Sequence, residues 1–333
     1  MSPPARPTPA PGWFDRRRWL LGGVALTVGG PVQAQHYPDR LINFVVPFTP
    51  GAAPDAFVRA LAQEVSRATG APTIVDNRPG AGSALAVQAV AKAAPDGYTV
   101  LVTGNVAITG NVHVMKRPGY DPVTDLTPVT PLARGPMVLY VNPAKLPAQR
   151  ASDLLPLLRK GSPGSHAFGY TSITSRLPAE MLQQTLGAQL TAIPYRSGNA
   201  ALPDLVSGRI DLLFSDLSAM LHVASGRLRA LGVTGAQRSP QAPEVPTLAE
   251  AGIPGIDVGF WVGAYLPAKA PPAVVAALHA LLLRAVKSPD ARAVLQAQGA
   301  SEFVLPIGEL AVFQAQETAA WGRIIRAAGI QPE

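Results

Sequence analysis

Residues 41–55 read LINFVVPFTPGAAPD, and this stretch decides the fold. Leu41–Phe48 is apolar and β-branched, the composition of a buried strand, and Pro50-Gly51 closes it. From Asp55 to Thr69 the apolar residues Ala56, Phe57, Ala60, Leu61 and Val65 fall near helical spacing. Asp55 stands at the N-cap or in the first turn, where a carboxylate suits the positive end of a helix. A buried strand that passes through a Gly/Pro loop into an amphipathic helix is the βα step of an α/β sheet.

The same alternation continues outward. Thr73–Val75 is expected as a strand, Ala84–Ala94 as a helix and Tyr98–Thr103 as a strand, an order that argues for parallel pairing. After a break, a second α/β series begins. Its expected strands are Met137–Val141, Ala167–Gly169, Ala192–Tyr195, Ile210–Phe214 and Leu228–Thr234. Its expected helices are Ser152–Lys160, Pro178–Leu186 and Ala200–Ser207. Beyond Trp261 there follow one strand, Gly263–Leu266, and helices starting at Pro272, Asp290 and Ile307. These have too few strands to stand alone and are expected to return to the first unit. The expected lobes are therefore 35–137 with 259–333, and 138–258. Two crossings imply a hinge and a cleft, a common place for a small ligand.

Residues 1–34 read as a separate export signal. Arg16-Arg17-Arg18 precedes an apolar run of about a dozen residues, too short for the roughly 20 of a spanning helix. Val32-Gln33-Ala34 supplies small residues for a signal peptidase, so cleavage after Ala34 would leave Gln35 first. The twin arginines followed by Trp19 and Leu20 resemble a Tat signal, although Asp15 stands where Ser or Thr is usual. Sec export and an uncut membrane anchor are the alternatives.

Composition narrows the function. Cysteine is absent, which excludes disulfides, thiolate metal sites and lipoprotein anchoring. After residue 34 there are 24 basic and 20 acidic residues, a mild excess that suits anionic ligands. No dense Lys/Arg stripe points to nucleic acid. No G-x-S-x-G, H-E-x-x-H or G-x-x-x-x-G-K-[ST] occurs. Gly80-Ala81-Gly82-Ser83-Ala84-Leu85 starts like a dinucleotide fingerprint but has Leu85 for the third glycine, and reads better as a helix-capping turn. The histidines at 36, 113, 166, 222 and 279 have no metal-ligand spacing, so neither metal nor cofactor is expected.

The chemistry lies in loops between strands and helices: 48–55, 77–83, 103–105, 170–175 and 195–199, rich in Gly, Ser, Thr and Asn. Such loops set amide N–H groups and hydroxyls at positive helix ends, which suits a carboxylate. Any single loop is explained by capping; five facing one cleft favour an anion site.

These residues also carry a family resemblance. Tyr37-Pro38-Asp39-Arg40, Val45–Gly51 with Asp55, and Asp76–Gly82 resemble the solute receptors of tripartite tricarboxylate transporters, the Bug or TctC-type family. Tyr120-Asp121-Pro122, Leu126–Val129, Pro194-Tyr195-Arg196, Gly226–Leu231, Val245-Pro246-Thr247 with Glu250-Ala251-Gly252, and Trp321-Gly322 extend the match over residues 37–333. The resemblance implies a two-lobed periplasmic-binding-protein-like α/β fold, with a mixed sheet flanked by helices in each lobe. It also implies a monomer without catalysis that works with TctA/TctB-like membrane permease subunits. A ligand carboxylate would be held by backbone groups, hydroxyls and waters near the first loop. An exported hydrolase and a subunit that presents ligand to a two-component sensor are the rival readings.

Departures from the family pattern fall on the site. The family usually has Pro-Gly-Gly in the first loop, whereas here Ala52, Ala53 and an unusual Pro54 follow Gly51; Arg176-Leu177 occupies the place of His-Leu, and Ser215 with Asp216 next to it replaces an Asp after Phe214. The expected ligand contacts from the first lobe are Phe48, Thr49, Gly51, Ala52, Ala53, Asp55, Ser83 and Asn105. Thr171, Ser172, Arg176, Arg196 and Asp216 are expected from the second. In this expectation Phe48 packs on the ligand and the amides of Ala52 and Ala53 receive its carboxylate. Asp55 sets the helix start or accepts an ammonium or hydroxyl, and Arg176 faces either solvent or the carboxylate.

Overall fold

The βα step at residues 41–55 forms as expected: β1 (Ile42–Val46) runs into α1 (Ala53–Thr69), whose buried face is Phe57, Val58, Leu61, Ala62 and Val65. The computed structural model describes residues 37–333 apart from Gly161, together with Met1, Ser2 and Pro4. The expected export signal, from Arg16 to the cleavage point after Ala34, lies outside the described residues.

After α1 come β2 (Thr73–Asn77), α2 (Ala84–Ala91), β3 (Thr99–Gly104), a π-helical turn (Val106–Gly110), α3 (Asn111–Val114) and β4 (Leu126–Pro136). The chain continues with β5 (Val138–Val141), α4 (Leu154–Leu158), β6 (His166–Tyr170), α5 (Ile173–Leu186), β7 (Leu190–Pro194) and α6 (Gly198–Ser207). Next are β8 (Leu212–Ser215), α7 (Met220–Ala224), β9 (Arg229–Val233) and β10 (Gly259–Pro267). The last elements are α8 (Pro272–Val286), α9 (Pro289–Ala297), β11 (Ser301–Glu302) and α10 (Glu309–Ala327).

Two mixed sheets result. The first has the order β11-β4-β10-β3-β1-β2, with β1 parallel to β2 and β3, and β10 antiparallel to β3 and β4. The second has the order β7-β6-β8-β5-β9, with β6 parallel to β7 and β8, and β5 antiparallel to β8 and β9. Apolar clusters cover both faces of each sheet. The chain leaves the first sheet at Pro136, enters the second at Val138, and returns between β9 and β10. The crossing segments are themselves paired, Gly259 with Pro136 and Phe260 with Gly135. A further apolar cluster joins the lobes: Ile173 and Leu177 of α5 meet Val258 of the return crossing and Trp321 and Ile325 of α10. Among the described residues no helix is long and apolar enough to cross a membrane.

Several elements depart from the sequence expectation. β4 lies where the sequence shows a break in the alternation, and its stretch LTPVTPLARGP holds three prolines. The strand accommodates Pro128 and Pro131 where the register with β10 shifts, so each proline lies beside a bulged residue. Helix α5 starts at Ile173, before the expected Pro178, because Ile173, Thr174 and Leu177 are buried there and packing overrides the local cost of an internal proline. The segment 106–114, unassigned from sequence, winds into the π turn and α3.

Candidate functional site

A cavity of about 280 Å³ opens between the sheets at the carboxyl ends of their parallel strands. Phe48, Pro54, Ser83, Gly104, Asn105 and Val106 line it from the first sheet. Thr171, Ser172, Thr174, Ser175, Gly198, Leu213, Phe214, Ser215 and Asp216 line it from the second. Met137, Phe260, Trp261 and Val262 form the crossing side, and Gln298 completes the wall.

The first loop is braced by its own acid. Gly51 adopts φ +78°, a conformation glycine enters without strain, and its N–H donates to Asp55 Oδ2 at 2.9 Å. Arg59 Nε also donates to Oδ2 (2.9 Å), and Asn77 Nδ2 donates to Oδ1 (2.7 Å) and to the Phe48 carbonyl (3.0 Å). Burial pushes the Asp55 carboxyl up, but Arg59, Asn77 and the Gly51 amide together hold it below its usual range. The Ala52 amide donates to the Thr49 carbonyl at 3.0 Å. Pro54 has no N–H, and no hydrogen bond takes up the Ala53 amide among the described residues, as expected at a helix start.

The second loop is strained. Ala81 (φ +46°), Gly82 (φ +55°) and Ser83 (φ +75°) are successively left-handed, which costs roughly 1–2 kcal/mol at a non-glycine residue. Asn111, buried in α3, holds the loop by donating from Nδ2 to the Gly82 carbonyl (2.8 Å). Its side chain also meets the Tyr120 hydroxyl, which donates to the Ala107 carbonyl. Strain that is over-determined by its surroundings is common at functional sites.

In the second lobe, the Ser175 hydroxyl accepts from the amides of Thr171 (2.9 Å) and Ser172 (3.3 Å) and so shapes the start of α5. Asp216 Oδ1 accepts from the amide and the hydroxyl of Ser218, and Tyr140 donates its hydroxyl to the Asp216 carbonyl (2.9 Å). Helices α1, α5 and α6 all begin at the cavity, through Pro54, Ser172 and Gly198. No Lys, Arg or His side chain lines it among the described residues, and Asp216 is its one ionisable side chain there. The positive field in the cavity is that of helix N-termini.

Of the residues expected from sequence, Phe48, Ser83, Asn105, Thr171, Ser172 and Asp216 line the cavity. Thr49, Gly51, Ala52, Ala53 and Asp55 form the loop and helix start behind Pro54. The structure differs from the expectation in four respects. The Ala52 amide is committed to Thr49, which leaves Ala53 as the available donor. Asp55 is buried among three donors of its own outside the cavity lining, so of its two expected roles it fills that of setting the helix start and not that of accepting an ammonium or hydroxyl. Arg176 turns to Glu180 (2.9 Å) and lies over the Tyr170 ring. Arg196 is exposed and outside the lining. Met137, Phe260, Val262 and Gln298 join the site without a sequence signal: β10 and the crossing bring the first three there, and the end of α9 brings Gln298.

The chain matches the family model of the tripartite tricarboxylate transporter family receptor over residues 57–330. It is 33% identical to Protein BugT of Bordetella pertussis over 93% of this chain and 96% of that protein. The structure of R. palustris Rpa4515 with adipate superposes with a TM-score of 0.81 and 32% identity, covering 89% of this chain and all of that one. The periplasmic binding protein BugD superposes at 0.77 with 29% identity, again over 89% of this chain and all of that one. Two mixed sheets, a cavity at their carboxyl edges and this match over most of the chain lead to one assignment: the protein belongs to the receptor family of the tripartite tricarboxylate transporters.

Proposed function

We propose that this receptor captures a small organic carboxylate in the cavity between its lobes, outside the cytoplasm, and delivers it to TctA/TctB-like permease subunits. The observation that carries the reading is a cavity bordered by three helix N-termini and by hydroxyls, with no basic side chain in its described lining. The lobes in this reading are 35–137 with 259–333, and 138–258, and they close on the ligand. The carboxylate meets the Ala53 amide and the hydroxyls of Thr171 and Ser172, and Phe48 packs on the carbon skeleton. The adipate bound to the Rpa4515 protein is consistent with such a ligand. Binding without catalysis is the reading that membership of a receptor family supports. The protein acts as a monomer after removal of residues 1–34.

A thermal-shift screen of mono-, di- and tricarboxylates tests the reading. A ligand at one hundred times its Kd stabilises by about 2.7 kcal/mol. Ala52→Asp is the matching variant. Ala52 is the N-cap of α1, next to the Ala53 amide, so an aspartate there sets a second negative charge beside the ligand carboxylate and repels it. Folding should hold while binding falls. Undiminished binding by this variant would remove the carboxylate from the first loop.

A further inference from the structure

The cavity's charge identifies the ligand class more narrowly, an inference that rests on the reading above. Asp216 is the one ionisable side chain in the described lining, and no ion pair engages it. Its Oδ1 is occupied by the Ser218 amide and hydroxyl, while no described residue donates to Oδ2. The carboxylate is also held in place: Ser218 anchors one oxygen, and the Tyr140 hydroxyl anchors the backbone carbonyl of the same residue. A fixed anion with one oxygen available in a small cavity is an acceptor site for a cation.

The two arginines that sequence placed near the site do not neutralise it. Arg176 pairs with Glu180, and Arg196 is exposed outside the lining. A ligand with a second carboxylate toward Asp216 would meet an uncompensated like charge. At about 4 Å and an effective dielectric of about 20, that repulsion amounts to roughly a thousandfold in affinity. A protonated amine in the same place reverses the sign.

We propose that the ligand is an amino carboxylate: its carboxylate lies at the helix N-termini and its ammonium donates to Asp216 Oδ2. Asp216 is thus the residue that sets specificity against simple mono- and dicarboxylates.

Four six-carbon probes test this by calorimetry: norleucine, 6-aminohexanoate, hexanoate and adipate. The parent protein should bind at least one amine-bearing probe about tenfold or more tighter than hexanoate, and adipate more weakly still. Asp216→Asn keeps the acceptor for Ser218 and should erase the difference between the amine-bearing probes and hexanoate. An amine advantage that survives in Asp216→Asn overturns the assignment of Asp216. Binding of hexanoate or adipate as tight as that of both amine-bearing probes overturns the ligand class but leaves the carboxylate site standing. Failure of all four, and of the wider carboxylate panel, overturns the site reading and this inference with it.

Discussion

Thr174 of α5 donates its hydroxyl to Asn105 Oδ1 at 3.1 Å, and both side chains are buried. Asn105 follows β3 of the first sheet, whereas Thr174 begins a helix of the second lobe, so this bond spans the cleft. The Asn105 amide meanwhile donates to the Gly259 carbonyl (2.8 Å) in the return crossing. One side chain therefore ties both lobes to the hinge at the wall of the cavity. Thr174→Val keeps the shape but leaves the Asn105 oxygen unsatisfied in the closed arrangement. Ligand affinity should fall about fivefold, the equivalent of about 1 kcal/mol. Calorimetry on the parent and the variant checks this; equal affinities would mean the bound state lacks the bond.

Gly110 in the π turn also faces the other lobe, with no room for a side chain. A Cβ there would stand 2.7 Å from Ile173 Cγ2 and 3.3 Å from Trp321 Cζ3. Alanine normally improves a helical glycine position by about 1 kcal/mol. Here the clash should win, and Gly110→Ala should lose about 1–3 kcal/mol in urea unfolding. Solution scattering should also show a more open particle in the presence of ligand. A stabilised variant would mean that α5 can yield without cost.

The Asp55 carboxyl is held below its ordinary range in the folded protein. A carboxyl depressed by folding stabilises above its unfolded pKa, and that contribution disappears as the pH falls through the folded value. Stability should thus drop on acidification below about pH 4. Asp55→Asn should cost about 2 kcal/mol at pH 7 and flatten the acid limb of the stability curve. Parallel curves for parent and variant would assign the acid transition to other groups.

Asn111 restrains the strained turn at Gly80–Ser83 through the Gly82 carbonyl. Asn111→Ala removes that hydrogen bond and the contact with Tyr120 from a buried place. Unfolding should become easier by about 1–3 kcal/mol. Ligand binding should weaken as well, because Ser83 loses its fixed position in the cavity wall. Denaturant titration and calorimetry on the same sample separate the two effects.

Much of this architecture is readable along the chain. The apolar run of β1, the spacing of α1 and the Gly/Pro loop between them are local signals, and each forms within a residue or two of expectation. The same holds for β2, β3, α8 and α9, whose faces follow simple periodicity. β4 falls in the break of that alternation, and only pairing with the bulged register of β10 makes its prolines strand residues.

The site divides in the same way. Sequence alone determined the order of βα steps, the polar loops after the strands and the family, since these depend on neighbours a few residues apart or on motifs read in order. The tertiary structure decided which loop atoms reach the cavity. Asn105 meets residues 69 and 154 positions away, and Gln298 reaches the Ala53 carbonyl across 245 positions. Arg176 went to a glutamate one helical turn away, and the Ala52 amide went to its own turn. Local periodicity carries no information on such choices, because a polar group takes whichever partner the packed chain places within hydrogen-bonding reach, and that is settled only when the lobes have formed.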